Sequence, residues 1–422
     1  MLVKSLELSL TKSLLAAGVM ATLAGCSTPM PPDLGCGVPG GLCAPVQSNT
    51  SAAPAEPPAP PPEPPRSETR TSPVELYPGD GTPQSSARPG GGTTRVALLL
   101  PLQSPALGQA AEAVRAGFLA GHERDRAGID VEIVASGDSP ESTLEAYSRA
   151  AQQNDIVVGP LARSSVAAII AGNAVLKPTI ALNHPQTDRP LPPQMLVVGL
   201  SLEEEARQVA DWAAQEHPAG RALVLGGKAA WQQRAAGAFA ARWNRLGRNN
   251  ASVELPITDG YVDANALAEL RSRLAIDRPE LVYAALDAGA LRQVRSSLGT
   301  SLPTYASSAA NPGRSPGQSV PELDGVRLVD LPWTIQPDHP AVMVYPRPVD
   351  SESLDMQRLY ALGIDAFQVA RTLADQPGTG FTLDGVTGRL SVRRNNGGWS
   401  LQRTEASAVY RDGVGYETVA GQ

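Results

Sequence analysis

Residues able to do covalent or acid–base chemistry are few in this chain. Cysteine occurs three times, at Cys26, Cys36 and Cys43, all ahead of the region able to build a core. That region therefore has no thiol nucleophile. Of the four histidines, His184, His217 and His339 each precede a proline, and His122 sits among charges. His-Pro steps read as turns or helix ends rather than as a catalytic set. Gly226-Gly227-Lys228 has the tail of a phosphate loop, but Ala222 stands where the first glycine belongs and Ala229 where Ser or Thr would bind magnesium. It reads as a strand-to-helix turn. Glu203-Glu204-Glu205 is an acidic run at a helix start, where the helix dipole accounts for it without a metal. Asp365 and Asp384 could flank a cleft, but paired acid–base work depends on a separation that sequence does not give. No cofactor and no metal site is implied, and the balance of residue types favours binding over catalysis.

The elements that would position a binding site begin at Arg95, where apolar runs start to alternate with helical patterns. Val96–Leu100, Val131–Val134, Ile156–Val158, Thr179–Leu182 and Leu196–Val198 read as strands, with helices near 108–124, from Pro140, and near 164–174. Ser139 is an N-cap, Pro140 suits a first helical turn, and Glu141 faces the positive dipole end. The pattern restarts at Ser201, which forms a capping box with Glu204. Strands at Ala222–Leu225, Val253–Leu255, Leu281–Ala285, Thr304–Ala306 and Val326–Val329 then alternate with helices near 229–246, 264–275 and 288–298. Trp333 reads as a strand exit, 354–374 as a helix, and Gly385–Glu405 as a hairpin turning at Asn396-Gly397-Gly398. Nearly continuous apolar strands in βαβα order predict parallel sheets covered on both faces.

The fold class is therefore α/β. It consists of two doubly wound parallel-sheet lobes, the architecture of type I periplasmic binding proteins. Lobe 1 is expected at about 95–200 plus a return at about 354–405, and lobe 2 at about 201–330. Ligands of open α/β sheets bind beyond the carboxyl ends of the strands, and two facing lobes make a hinged cleft. The loops expected to line it hold Gln103, Ser104, Gly159, Pro160, Asn183, Gly226 to Lys228, Asp287, Ser307 and Ser308. In amino-acid-binding proteins of this fold, backbone N–H groups and small hydroxyls hold a carboxylate and an acid holds an ammonium. Asp287 is the candidate for the ammonium of a small amino-acid-like ligand. The same residues also read as caps and turns, and Asp287 before Ala288 is a good N-cap in any case. Trp231 and Trp333 read either as core or as anchors of a protein-binding surface.

Ahead of these lobes lies an address and a spacer. Lys4 and Lys12 precede a short apolar stretch ending in Leu23-Ala24-Gly25-Cys26. This resembles a bacterial lipoprotein signal over 1–25, with Cys26 lipidated. Acyl chains of this kind anchor without spanning, and no apolar run reaches the ~18–20 residues of a membrane-spanning helix. Ser27 after the cysteine resembles an outer-membrane sorting signal. Cys36 and Cys43 could pair in an oxidising compartment. Residues 26–94 hold 17 of the 39 prolines. Such a composition predicts a disordered or polyproline tether, with an upper reach of roughly 210 Å at about 3.1 Å per residue. The formal net charge of -7 is dispersed, with only four lysines, which argues against nonspecific nucleic-acid binding.

Five motifs carry a family resemblance. They are Val96–Leu102, Val157–Leu161, Ala181–Asn183, Leu359–Ala366 and Leu383–Ser391, the last two being the more specific. Over about Arg95 to Arg403 the chain resembles the LppC/LpoA-type lipoproteins, the penicillin-binding protein activators. The resemblance implies a lipoprotein of the outer membrane, facing the periplasm. It would stimulate a bifunctional penicillin-binding protein, that is, a peptidoglycan synthase, by contact and without catalysis. The family's best-known members carry an N-terminal helical-repeat domain. Here a proline-rich stretch occupies its place.

Overall fold

The computed structural model describes residues 92–313, 319–348, 353–395, 398–411 and 415–419. The expected signal, Cys26, Cys36, Cys43, nearly all of the proline-rich stretch and the turn residues 396–397 lie outside the described residues.

Lobe 1 runs β1 (Thr94–Leu100), α1 (Gly108–Arg124), β2 (Ile129–Ala135), α2 (Pro140–Gln153), β3 (Ile156–Val158), α3 (Arg163–Ala171), β4 (Thr179–Ala181) and β5 (Met195–Val197). Its sheet has the order β2-β1-β3-β4-β5 and every pair is parallel. Strand β1 shows why. Val96 to Leu100 are all fully buried, with Val96, Leu98 and Leu100 in one core cluster and Ala97 and Leu99 in another. A strand covered on both faces has no place for polar alternation.

Lobe 2 follows as α4 (Leu202–Glu216), β6 (Ala222–Gly226), α5 (Ala230–Arg245), β7 (Asn250–Glu254), the small hairpin β8 (Ile257–Thr258) and β9 (Tyr261–Val262), α6 (Ala264–Asp277), β10 (Leu281–Ala285), α7 (Ala288–Leu298), β11 (Thr304–Ala306) and β12 (Arg327–Asp330). On one face Val224 and Tyr283 meet Trp212, Phe239 and Trp243, with Phe239 stacked on Tyr283 at 4.2 Å. On the other, Leu225 and Val282 meet Leu270 and Leu291.

After β12 come the short helices α8 (Pro332–Ile335) and α9 (Pro340–Met343), then α10 (Leu354–Asp375). Trp333 sits inside α8, fully buried, rather than at a strand exit. Helix α10 returns to α1, where Phe118 meets Phe367 edge-on at 5.4 Å. Two glycines permit this close crossing. A Cβ at Gly117 would collide with the Tyr360 carbonyl oxygen, and one at Gly363 with that of Val114.

The last elements are β13 (Phe381–Gly385), β14 (Gly388–Asn395), β15 (Gly398–Thr404), β16 (Ala406–Arg411) and β17 (Gly415–Thr418). They differ from the expected single hairpin in two ways. Strand β13 makes it a three-stranded antiparallel sheet, in which Asn395 pairs with Gly398. Strands β16 and β17 cross back and extend the lobe 2 sheet antiparallel, giving the order β17-β16-β12-β11-β10-β6-β7. Lobe 2 therefore continues beyond residue 330 with a segment from the far end of the sequence.

Candidate inter-lobe site

The chain passes between the lobes after β5, after β12 and at Glu405, between β15 and β16. Beside the first two of these passages lies a groove of about 730 Å³. Leu200, Leu202, Trp231, Leu331, Leu354 and Leu359 give it apolar walls, and Glu205, Asp287, Ser308, Asp355 and Arg358 supply the polar groups. The helix starts of α4, α5, α7 and α10 all reach it.

Two of these starts, those of α4 and α7, have side-chain caps. Ser201 accepts the Glu204 N–H at 3.2 Å, which is one half of the expected capping box, and its hydroxyl donates to the Glu203 carboxylate at 3.0 Å. Asp287 accepts the Ala290 N–H at 2.9 Å and so caps α7. In α4 the stripe Leu202, Glu205, Ala206, Val209 has helical i, i+3, i+4, i+7 spacing. Ala206 and Val209 are buried core, and Glu205, at 4% exposure, lies among them.

A buried charge network forms the floor. Glu205 accepts the Ser308 N–H at 2.7 Å and the Ser308 hydroxyl at 3.0 Å. Arg358 donates to both oxygens of Asp330, from Nη2 at 2.8 Å and Nε at 3.2 Å, and also to Asp355 at 3.0 Å and the Ser308 carbonyl at 2.8 Å. Asp330 further accepts Asn311 Nδ2 at 2.7 Å and the Leu331 N–H at 2.8 Å. Burial, aided by the Asp330 charge, pushes the Glu205 pKa up to about 7 against the pull of Ser308 and Arg358. Burial and the neighbouring Glu205 likewise raise that of Glu405 well above the usual carboxylate range. Burial opposes the charge of Arg358, yet Asp330, Glu205 and Asp355 outweigh it and raise its pKa. Every nitrogen of the Arg358 guanidinium is thus engaged inside the protein.

Of the residues expected to line the cleft, Asp287 and Ser308 do line this groove, and Trp231, offered as an anchor, joins them. The others do not. Ser104 accepts the Leu107 N–H ahead of α1, and Gln103 donates its backbone N–H to Ser136. Gly159 and Pro160 pack between strands, where Gly159 donates to Ile180 and Pro160 accepts from Leu182. Asn183 bridges Leu161 and His184. Lys228 is exposed in the turn before α5, and Ser307 is buried behind the wall. Local turns use the polar atoms of Ser104 and Asn183, and adjoining chain segments use the backbone of Gln103, Gly159 and Pro160, while the Gln103 and Lys228 side chains are exposed outside the groove.

Asp365 and Asp384 form no acid–base pair. Asp365 is buried and accepts the N–H groups of Val386 and Thr387 at 2.9 and 2.8 Å, whereas Asp384 is exposed, 3.8 Å from His339 Nε2. His339 Nδ1 accepts the Ala341 N–H at the start of α9. The string Gly313-Arg314-Ser315-Pro316-Gly317 has the Gly-x-Ser-x-Gly form of a hydrolase elbow, which the sequence reading overlooks. An elbow joins a strand to a helix. Here a 3-10 turn at Ser308–Ala310 precedes the string, Asn311–Gly313 have no regular structure, and 314–318 lie outside the described residues. Among the described residues, no group of three or more His, Cys, Asp or Glu could hold a metal ion.

Sequence reasoning missed Asp330, Arg358 and Glu405, and read Glu205 only as part of an acidic run at a helix start. Only Glu205 carried a signal, its place on the apolar stripe of α4.

A family model described as "LppC putative lipoprotein" matches residues 91–413. The chain belongs to this family. Among LppC relatives, the "Penicillin-binding protein activator LpoA" of Haemophilus ducreyi is 28% identical over 334 residues, covering 76% of this chain and 54% of the relative. The LppC chain thus spans about half the length of the curated relatives it matches. The LpoA C-domain from Haemophilus influenzae, described as "a regulator of PBP1A", aligns over its full length and 78% of this chain, with 23% identity and a TM-score of 0.62, a likeness of fold. A structure from Chromobacterium violaceum, described as "a putative branched-chain amino acid ABC transporter", aligns over its full length and 75% of this chain, with 33% identity and a TM-score of 0.63. The expected two-lobed α/β fold thus has counterparts in both groups. The motifs behind the family resemblance are framework: Gly363 sets the α1–α10 crossing and Asp365 holds the 386–387 turn.

Proposed function

We propose that this LppC chain is a non-catalytic activator of a bifunctional penicillin-binding protein, acting by protein contact. It would be held at the outer membrane by lipid on Cys26, with its folded lobes facing the periplasm. One observation carries the reading. Relatives named as penicillin-binding protein activators align over about 70–76% of the chain, and the family model covers residues 91–413. An activator of this kind needs no reactive group. It binds the active conformation of the synthase more tightly than the inactive one, and a tenfold population shift needs about 1.4 kcal/mol of differential affinity.

The second reading, a receptor for an amino-acid-like solute, is favoured by the 33% identity to the Chromobacterium violaceum structure. The groove supports it less. Gln103, Ser104 and Asn183, the candidates for holding a carboxylate from lobe 1, do not line the groove, and the Arg358 nitrogens are occupied. Titration of the full chain against the purified bifunctional synthase of the same cell tests the first reading. Saturable one-to-one binding is the expected result. An active synthase that does not bind the chain would overturn it.

A further inference from the structure

We propose that the inter-lobe groove is a docking slot for an extended segment of the partner synthase, one that carries an apolar side chain beside a lysine or arginine; this rests on the activator reading above. The size of the groove, about 730 Å³, is that of a slot for several side chains rather than a surface dimple. Its walls are apolar, with Leu202, Trp231 and Leu354 contributed by three different helices. Its charge is one-sided. Asp287 and Asp355, together with Glu205, which is only partly ionised near neutral pH, face a single base, Arg358, four of whose five N–H donors are taken by Asp330, Asp355 and the Ser308 carbonyl. Asp287 caps α7 and makes no ion pair among the described residues. A cationic group on the occupant complements this excess of acid.

The same chemistry disfavours a free carboxylate. Of the four helix starts that reach the groove, those of α4, α7 and α10 carry Glu205, Asp287 and Asp355 on its lining, and only that of α5 has no acid at its N-cap or in its first turn. An occupant whose carboxyl groups are amides, as in a peptide chain, avoids that repulsion.

Two arms on the full chain test the proposal. The first needs no synthase. Acetyl-Leu-Lys-Leu-amide, acetyl-Leu-Glu-Leu-amide and free leucine are compared by ligand-observed NMR, against wild type, Asp287→Asn and Trp231→Ala. Asparagine still caps a helix, so the first variant removes charge and keeps the fold. Binding of the lysine peptide alone, weakened about threefold by Asp287→Asn and about tenfold by Trp231→Ala, is expected. Free leucine or the glutamate peptide binding as well as the lysine peptide, or no peptide binding at all, overturns the proposal. In the second arm, synthase affinity falls by similar factors for these variants but not for Leu176→Ala, an exposed leucine in a different depression. Equal affinity of all variants overturns the docking slot and leaves the activator reading standing. A synthase that ignores even the wild type overturns the activator reading, while the peptide arm still decides the chemistry of the groove.

Discussion

Replacing Glu205 by glutamine should change how the stability of the protein depends on pH, and the size of the change follows from burial. The carboxyl pKa rises from 4.5 to about 7, with desolvation as the main cause and the Asp330 charge as the second. Below pH 4.5 the group is protonated in folded and unfolded chains alike and contributes nothing to the difference. As pH rises through 4.5 the unfolded chain ionises first, so the folded state loses stability, and the loss is complete above about pH 7. At about 1.36 kcal/mol per pH unit, the full loss is about 3 kcal/mol. Glutamine keeps an acceptor for the Ser308 N–H, now at 2.7 Å, and the Ser308 hydroxyl can turn to accept from the new amide. Wild type and Glu205→Gln should therefore differ least at the acid end, by about 1 kcal/mol or less near pH 5. At pH 8 the variant should melt higher by roughly 6 °C, at about 2 °C per kcal/mol for a domain of this size. Differential scanning fluorimetry of both proteins across pH 5–8 measures it. Glu405 is also held above its usual range, but it is present in both proteins. A melting gap that does not widen with pH would refute the reasoning.

Arg358→Met should cost about 3–5 kcal/mol by leaving Asp330, fully buried, without its bidentate partner. Adding Asp330→Asn should recover much of that loss in a urea-denaturation cycle. Gly363→Ala should destabilise by about 3 kcal/mol or abolish soluble expression, since its methyl would meet the backbone of α1, whereas Gly237→Ala, with open space around it, should be neutral or stabilising by thermal melt. Asp365→Asn should cost about 2–3 kcal/mol, because an amide nitrogen would face one of the N–H groups that the carboxylate now receives from Val386 and Thr387. Its loss should appear first as faster hydrogen exchange at residues 386–387.

Much of this architecture can be read along the chain because a doubly covered parallel strand announces itself as an uninterrupted apolar run. Val96–Leu100 and Leu281–Ala285 are such runs, and both are interior strands of their sheets, paired on either side. Strand β16 is less visible. Its partner β12 lies some 80 residues earlier, and nothing local to Ala406–Arg411 specifies an antiparallel return to the second lobe. Strand β13 alternates half-buried and exposed positions over a few residues, which leaves a weak pattern. In the groove, Asp287 and Ser308 follow from the rule that loops after strands face the cleft. The same rule misplaces Gln103, Ser104 and Asn183: the polar atoms of Ser104 and Asn183 serve neighbouring turns, and the Gln103 side chain is exposed outside the groove. Glu205, Asp330 and Arg358 come from α4, β12 and α10, and each reads alone as a cap or a surface charge. Only the fold brings them together around Ser308.

The most direct measurement of the central claim is the rate of glycan polymerisation and peptide cross-linking by the purified bifunctional synthase, with and without the full chain. Stimulation that saturates with the chain and disappears when the synthase is replaced by a monofunctional one is the predicted result. An active, properly folded synthase whose rates do not change at saturating concentrations of the chain would contradict it.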